Sequence, residues 1–169
     1  VVLSADGNTA YEASAYRLEL IDVSNPTNPA FIGRYVHSDH LLGVALSADG
    51  NTAFVVDWRD ELLIIDVSNP ASPSLTATLD TTGDAYGVTL SADGNTAFVA
   101  DGQYGGLQII DVVDPAANGA ASIATTPSLT ASLDTTGSAF GVTLSADGNT
   151  AFVADYSSGL QIIDVSNPA

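Results

Sequence analysis

One long phrase recurs along this chain, and repetition at a fixed period constrains a fold more strongly than any other sequence feature. The sequence GVTLSADGNTAFVAD is identical at 87–101 and 141–155, and altered copies begin at Gly43 and Val1. A second phrase, IIDVSNP or a close variant, follows each copy. The turn serines, spaced by 43, 44 and 54 residues, are Ser4, Ser47, Ser91 and Ser145. The chain is therefore a tandem array of one structural unit.

Each unit resolves into short strands separated by turn residues. In the third unit, strands A, B and C are predicted at 85–91, 95–100 and 107–112. The Asp-Gly pair between strands A and B predicts a hairpin with a primed turn, because such turns need positive φ at their central residues. Strands B and C are nearly continuous apolar runs, which is typical of sheets covered on both faces.

Strand D follows a loop that contains proline, and its Ser and Thr alternation indicates an outer edge strand. We predict it at 30–36, 74–80 and 128–134. The third unit also carries an insertion of small residues at 116–127, whose composition predicts a flexible surface bulge without its own core. The fourth unit of this sequence ends after strand C, so we expect this unit to lack an outer strand.

These features predict an all-β fold, namely a β-propeller of four-stranded antiparallel blades with about four blades present. Helix is nearly excluded, since no window shows helical apolar spacing. We favour a segment of a larger ring over half of a two-chain ring or a complete ring with one defective blade. A solenoid is the alternative architecture. The chain 1–169 forms one propeller segment with repeats at 1–43, 44–87, 88–141 and 142–169.

The phrases LQIIDVSNP and LLIIDVSNP resemble the LVIVD repeat, a propeller-forming unit of bacterial and archaeal surface proteins. The resemblance implies a propeller fold and an extracellular or cell-surface location, without an assigned chemistry. The third copy departs from the pattern with Val113 and Asp114 in place of Ser-Asn, and the first has Ser14 where later copies carry Asp. The matching segments are Leu18–Pro26, Leu62–Pro70, Leu107–Pro115 and Leu160–Pro168.

The net charge limits the classes of molecule that the chain is expected to bind. Twenty acidic residues face three arginines and no lysine, which gives a formal net charge of −17. This charge repels nucleic acid and anionic membranes, and it favours cations, basic protein surfaces or neutral sugars. The chain has no cysteine, so thiolate metal sites and disulfides are excluded. It also has no G-x-S-x-G nucleophile elbow. We expect no enzymatic activity, no cofactor and no membrane insertion.

The loops that vary between copies are the candidate recognition surface. In a propeller the B–C and D–A loops share the top face, while the repeated turns lie beneath, and variable loops on a rigid scaffold commonly carry binding. Each B–C loop contains an aromatic residue that offers a large amphipathic surface. Alternatively, each ring folds over its own blade and fills the groove to the next. The predicted ligand-binding aromatics are Tyr16, Trp58, Tyr104 and Tyr156.

Carboxylates precede most of these aromatics. Asp57, Asp101 and Asp155 end strand B, and we include them in the ligand-binding prediction. A calcium-binding ring is one interpretation, because Ca²⁺ takes six to eight oxygens. A turn in which the carboxylate accepts backbone N–H groups is the favoured one, since turns recur by duplication.

The two histidines lie together in the HSDH loop. His37 and His40 with Asp39 have the donor atoms of a transition-metal site or of a hydrolase site. A solvated loop is the favoured interpretation, so we predict no metal. The predicted function is a non-catalytic extracellular or surface module that recognises a protein or carbohydrate through the top-face loops. The alternatives are a structural module that self-associates through open blade edges and a lactonase-like propeller hydrolase.

Overall fold

The computed structural model describes residues 1–113 and 123–167, and these residues form four antiparallel sheets in chain order. The first sheet contains β1 (Val2–Leu3), β2 (Thr9–Ser14), β3 (Arg17–Asp22) and β4 (Ala30–Val36). The second contains β5 (Leu41–Leu46), β6 (Thr52–Asp57), β7 (Glu61–Asp66) and β8 (Ser74–Asp80). The third contains β9 (Gly87–Leu90), β10 (Thr96–Asp101), β11 (Gly106–Val113) and β12 (Ile123–Leu133). The fourth contains β13 (Ala139–Leu144), β14 (Thr150–Asp155) and β15 (Gly159–Asp164).

Each sheet is one propeller blade whose strands are hydrogen-bonded in chain order, A to D in the first three sheets and A to C in the fourth. Three apolar clusters fill the spaces between successive sheets. Between the second and third sheets, Phe54 and Ile64 pack with Val99 and Ile110. Neighbouring residues of one strand pack on opposite faces of the sheet. Phe54 faces the third sheet, whereas Val55 belongs to the cluster shared with the first sheet. This explains the continuous apolar runs of strands B and C and confirms the predicted all-β propeller fold.

The A–B hairpins differ from the predicted turn type. In the second blade the N–H of Gly50 donates to the carbonyl of Ser47 at 2.9 Å. Gly50 has φ +73°, but Ala48 and Asp49 are absent from the positive-φ positions. The turn is therefore type I followed by a left-handed glycine, and the prediction of a primed turn was wrong. The Asp49 carboxylate favours this geometry, because it accepts hydrogen bonds from the Ser47 hydroxyl and the Asn51 N–H.

The third blade differs from the prediction at two places. Residues 102–105 form a single helical turn, α1 (Gly102–Gly105), within the B–C loop. The predicted bulge at 116–127 falls partly outside the described residues, while 123–127 extend strand D, so that Ile123 pairs with Val113. A proline at 127 fits here because β12 is an outer strand, where no further ladder requires its missing N–H.

Hydrogen bonds sort the loops onto two ends of the blades. At one end the A–B turns join the C–D loops, as where the N–H of Val67 donates to the carbonyl of Asn51 at 2.8 Å. At the other end the B–C loops join the D–A loops, as where the N–H of Trp58 donates to the carbonyl of His40 at 3.0 Å. We call the second end the top rim. It comprises the B–C loops 14–17, 57–61, 101–106 and 155–159 and the D–A loops 37–40, 81–86 and 135–140.

The fourth sheet has three strands within the described residues. Its outward face exposes Leu160 and Ile162, at 63% and 66%. The equivalent residues of the third blade, Leu107 and Ile109, are buried against the fourth. The outward face of the fourth sheet is thus built like a blade interface. No helix in the described part of the chain is long and apolar enough to cross a membrane.

Candidate functional site: the top rim

A buried carboxylate anchors the rim in three blades. Asp57, Asp101 and Asp155 are each at most 1% exposed. In the third blade, Asp101 Oδ2 accepts hydrogen bonds from the backbone N–H groups of Thr82 and Gly83 at 2.9 and 3.0 Å. In the fourth blade, Asp155 Oδ2 accepts the N–H of Gly137 at 3.1 Å. Asp101 and Asp155 therefore fix the D–A loop that enters their own blade, a turn-holding role.

Burial has an electrostatic consequence at Asp101. Desolvation raises the pKa of this carboxyl, although hydrogen bonds from Thr81, Thr82 and Gly83 act in the opposite direction. The effect of desolvation on the pKa is larger than that of the hydrogen bonds, because all the donors around the carboxylate are neutral. The second oxygen, Oδ1, has no hydrogen-bond partner among the described residues. Asp101 is thus a buried anchor of the rim with one carboxylate oxygen that no described group satisfies.

Asp57 is held differently from its counterparts. Its Oδ1 accepts the N–H groups of Arg59 and Glu61, both at 3.0 Å, within its own B–C loop. Its Oδ2 lies 3.0 Å from His37 Nε2, and that nitrogen is 3.8 Å from Glu61 Oε2. We call these three side chains, His37, Asp57 and Glu61, the His37 cluster. Sequence reasoning missed it, because 20 residues separate His37 from Asp57.

The candidate group of His37, Asp39 and His40, the alternative to a solvated loop in the sequence, does not assemble among the described residues. Among residues 1–113 and 123–167, only the His37 cluster brings three potential metal ligands together. Asp39 faces Arg59, with 3.6 Å between Oδ2 and Nη1. His40 packs edge-on against Tyr16, with ring centroids 4.5 Å apart. The two histidines of this loop therefore have different partners, Asp57 for His37 and Tyr16 for His40.

The aromatic residues of the rim form two groups that bridge blades. The first joins Tyr16 and Trp58 through His40, whose ring centroid is 6.1 Å from that of Trp58. In the second, Phe140 contacts Tyr86 at 4.5 Å and Tyr156 at 5.9 Å. The D–A members were missed by sequence reasoning, although an available signal is that Tyr86 and Phe140 both directly precede the repeated Gly-Val of strand A.

The four predicted aromatics remain accessible. Tyr104 and Tyr156 are 82% exposed, and Trp58 and Tyr16 are about half exposed. Rings that served only to fill the grooves between blades would be covered. The grouping of exposed rings along one edge is therefore the kind of surface that marks recognition sites.

A polar groove lies beside Tyr104, between the third and fourth blades. Its volume is about 400 Å³. Its walls carry hydroxyl, amide and carboxylate groups from the B–C and D–A loops. The polar lining includes Gln103, Asp134, Thr136, Ser138 and Ser157. This volume lies within the range of small-ligand sites.

The rim of the second blade concentrates negative charge. Burial, followed by the charges of Asp57, Asp80 and Asp39, raises the pKa of Glu61, while His37 lowers it. Burial and the charge of Asp84 similarly raise the pKa of Asp60, which the nearby Arg59 offsets in part. The rim is therefore a favourable place for a cation or a neutral polar ligand and an unfavourable one for an anion.

Comparison with known proteins identifies the repeats and the fold. The family model described as LVIVD repeat matches residues 2–37, 44–81, 82–135 and 136–169. A comparison with curated proteins finds no significant match. Solved structures with a similar fold include a β-propeller domain, and the chain spans about half the length of the three described next.

Three solved structures illustrate the similarity. Hydrazine synthase of Kuenenia stuttgartiensis is 18% identical, with a TM-score of 0.72 over 98% of this chain and 45% of that chain. A putative 6-phosphogluconolactonase from Bacteroides uniformis is 17% identical, with a TM-score of 0.77 over 96% and 49%. The Cps50 (Swd1) β-propeller domain of Myceliophteria thermophila is 14% identical, with a TM-score of 0.73 over 96% and 56%. At these identities the likeness concerns the fold alone.

Proposed function

Because the chain belongs to the LVIVD repeat family and its repeats fold as propeller blades, we propose that it is a non-catalytic recognition module whose ligand binds the top rim. The observation that carries this proposal is the pair of aromatic groups, Tyr16–His40–Trp58 and Tyr86–Phe140–Tyr156, on the loops that vary between blades. Two rings of each group are exposed. The repeated turns at the opposite end are occupied with their own hydrogen bonds. The variable end is therefore the end available for a ligand.

Of the two ligand classes, protein and carbohydrate, the rim favours a neutral carbohydrate. Exposed Trp and Tyr rings offer flat apolar faces on which sugar rings pack, and the groove beside Tyr104 supplies hydroxyl, amide and carboxylate partners for sugar hydroxyls. The net charge of −17 disfavours acidic ligands. A basic protein surface is the alternative that the same charge allows.

We place this activity at the cell surface or outside the cell. The support is the resemblance of the repeats to those of bacterial and archaeal surface proteins. A cysteine-free chain is compatible with that environment. Recognition of an extracellular glycan is consistent with this location.

Trp58 provides the test, because it is the single tryptophan of the chain and lies on the rim. The protein is screened on an array of neutral oligosaccharides, and each hit is titrated while the Trp58 fluorescence is followed. We expect a saturable change in emission. Trp58→Ala and Tyr156→Ala should weaken binding to the immobilised hit about tenfold or more, as loss of an aromatic anchor typically does.

Phe31→Ala is the matched control for this experiment. Phe31 is an exposed aromatic residue of β4 that lies where the strand leaves the C–D loop, away from the rim. This variant should bind as the wild type does. An empty array, or equal losses from Phe31→Ala and Trp58→Ala, would contradict the proposal.

Self-association is a second candidate function, favoured by the exposed Leu160 and Ile162 on the outward face of the fourth sheet. A second copy or another blade could cover this face by the packing seen between the other sheets. The hydrolase alternative required His37, Asp39 and His40 together. Among the described side chains these three do not meet.

A further inference from the structure

We propose that the His37 cluster binds a divalent first-row transition-metal ion such as Zn²⁺, through His37 Nε2, Asp57 Oδ2 and Glu61 Oε2. Imidazole together with carboxylate oxygens is a ligand set used for zinc and its neighbours. The site is independent of the proposed glycan recognition.

The geometry is close to that of a coordinated ion. Nε2 is 3.0 Å from Asp57 Oδ2 and 3.8 Å from Glu61 Oε2, and all three ligand atoms lie within 4.8 Å of one another. Ligand atoms of a tetrahedral site with metal bonds of about 2.0–2.1 Å lie roughly 3.3 Å apart. Glu61 is partly exposed, so its side chain can rotate to complete the set.

Comparison with the neighbouring blades shows that two of the ligands are special to the second blade. The position of His37 at the end of strand D is taken by Thr81 and Thr135 in the following D–A loops. The position of Glu61 at the start of strand C is taken by Gly106 and Gly159. Only the aspartate is common. A turn-holding role therefore explains the aspartate but neither the histidine nor the glutamate.

The second blade also frees one carboxylate oxygen for the ion. In the third and fourth blades the Oδ2 atom holds the D–A loop through backbone N–H groups. In the second blade, Asp57 Oδ1 instead takes two N–H groups from its own B–C loop. This bond pair fixes the orientation of the carboxylate and leaves Oδ2 directed at His37, as outer hydrogen bonds do in metal sites.

The surrounding charge favours a cation. Asp57 is buried and Glu61 partly so, and both carboxylates lie beside His37. Arg59 is the cation of the loop, and it faces Asp39 rather than the cluster. A divalent ion would neutralise two carboxylates that otherwise share one histidine, and this compensates the penalty of their burial.

The test uses the full chain, stripped of metal with a chelator, and titrates it with ZnCl₂ by calorimetry and with Co²⁺ by visible absorption. We expect one ion per chain. His37→Thr introduces the residue that the neighbouring blades carry, and Glu61→Gln keeps the side-chain shape. Each should weaken Zn²⁺ binding about tenfold or more, since altering even the outer shell of a metal site costs about 10–100-fold.

His40→Ala is the matched control, because it removes the other histidine of the same loop without touching the cluster. It should bind Zn²⁺ as the wild type does. Circular dichroism of the apo forms checks that His37→Thr is folded. Absence of Zn²⁺ binding in the wild type, unchanged binding by His37→Thr and Glu61→Gln, or an equal loss in His40→Ala would overturn the proposal. The first of these outcomes would leave His37 as a simple partner of Asp57.

Discussion

The glycine that ends each A–B turn is the residue whose backbone most directly shapes the repeat. Gly94 has φ +73°, and a Cβ there would meet nothing within 4 Å. The requirement is therefore conformational and not steric. The Asp-Gly pair located these hairpins correctly in the sequence. It did not reveal the turn type, because that depends on how Ser91 and Asp93 share their hydrogen bonds with Asn95 and Thr96.

We expect Gly94→Ala to lower the free energy of unfolding by about 1–2 kcal/mol, the cost of a left-handed residue that carries a Cβ. Gly141→Ala is the matched control, because its Cβ also meets nothing within 4 Å but its φ is not positive. Urea denaturation of both variants measures the difference. Equal stabilities would mean that the turn does not hold the left-handed conformation.

Single residues of the rim were only partly predictable. The aromatics of the B–C loops stand out in sequence because each loop is otherwise small and polar. Their contacts with His40 and Phe140 could not be predicted, since these contacts join loops that are separate in the sequence. The same reason hid the contact of His37 with Asp57. Sequence reasoning proposed its neighbours in the loop instead.

At the scale of elements, a buried aspartate at the end of strand B connects the rim loops of the second, third and fourth blades. Asp101 joins β10 to the loop that precedes β9. Because burial raises the pKa of its carboxyl in the folded protein, the folded state binds this proton more tightly than the unfolded state. Ionised Asp101 therefore opposes folding at neutral pH, and this opposition is relieved as pH falls through the raised pKa towards the ordinary value of 3.8.

Asp101→Asn isolates this effect, since asparagine does not titrate. We expect the stability of the wild type, relative to Asp101→Asn, to increase as pH falls from neutral towards 3.8. Urea unfolding midpoints of both proteins across this range give the comparison. A stability difference between the two proteins that does not change with pH would contradict a raised pKa. So would a wild type that loses stability relative to Asp101→Asn as pH falls.

The strands were more predictable than the elements that join them. Strands D of the first two blades have the predicted bounds, because edge strands between proline loops and polar turns carry clear signals. Strand D of the third blade begins earlier than predicted. Small residues without periodicity hid its pairing across the register shift beside Val113. The helical turn after Asp101 was hidden too, since four residues are too few for a helical pattern.

At the scale of the whole molecule, the packing of sheets on sheets sets what the ends of the array expose. The cores between successive blades were predictable, because apolar runs need cover on both faces. The exposure of the outward face of the fourth sheet was not predictable, since its residues have the same sequence as the buried residues of the third blade. Leu160 and Leu107 occupy equivalent positions and differ completely in exposure.

We expect the double variant Leu160→Thr and Ile162→Thr to abolish self-association without loss of stability, because both side chains are exposed in the single chain. Sedimentation of wild type over a range of concentrations should show a mass that rises with concentration. The double variant should remain monomeric. Leu75→Thr, an exposed leucine on the outer strand of the second blade, is the control and should behave as wild type. A wild type that is monomeric at every concentration would exclude the self-association role.

If the rim of variable loops binds the ligand, the repeated turns serve only to hold the blades together. Hydrogen exchange with and without the neutral oligosaccharide selected on the array distinguishes these two ends of the blades. We expect added protection in the rim loops, above all at 57–61, 101–106 and 155–159. Protection confined to the repeated hairpins, such as 47–52 and 91–96, would contradict it.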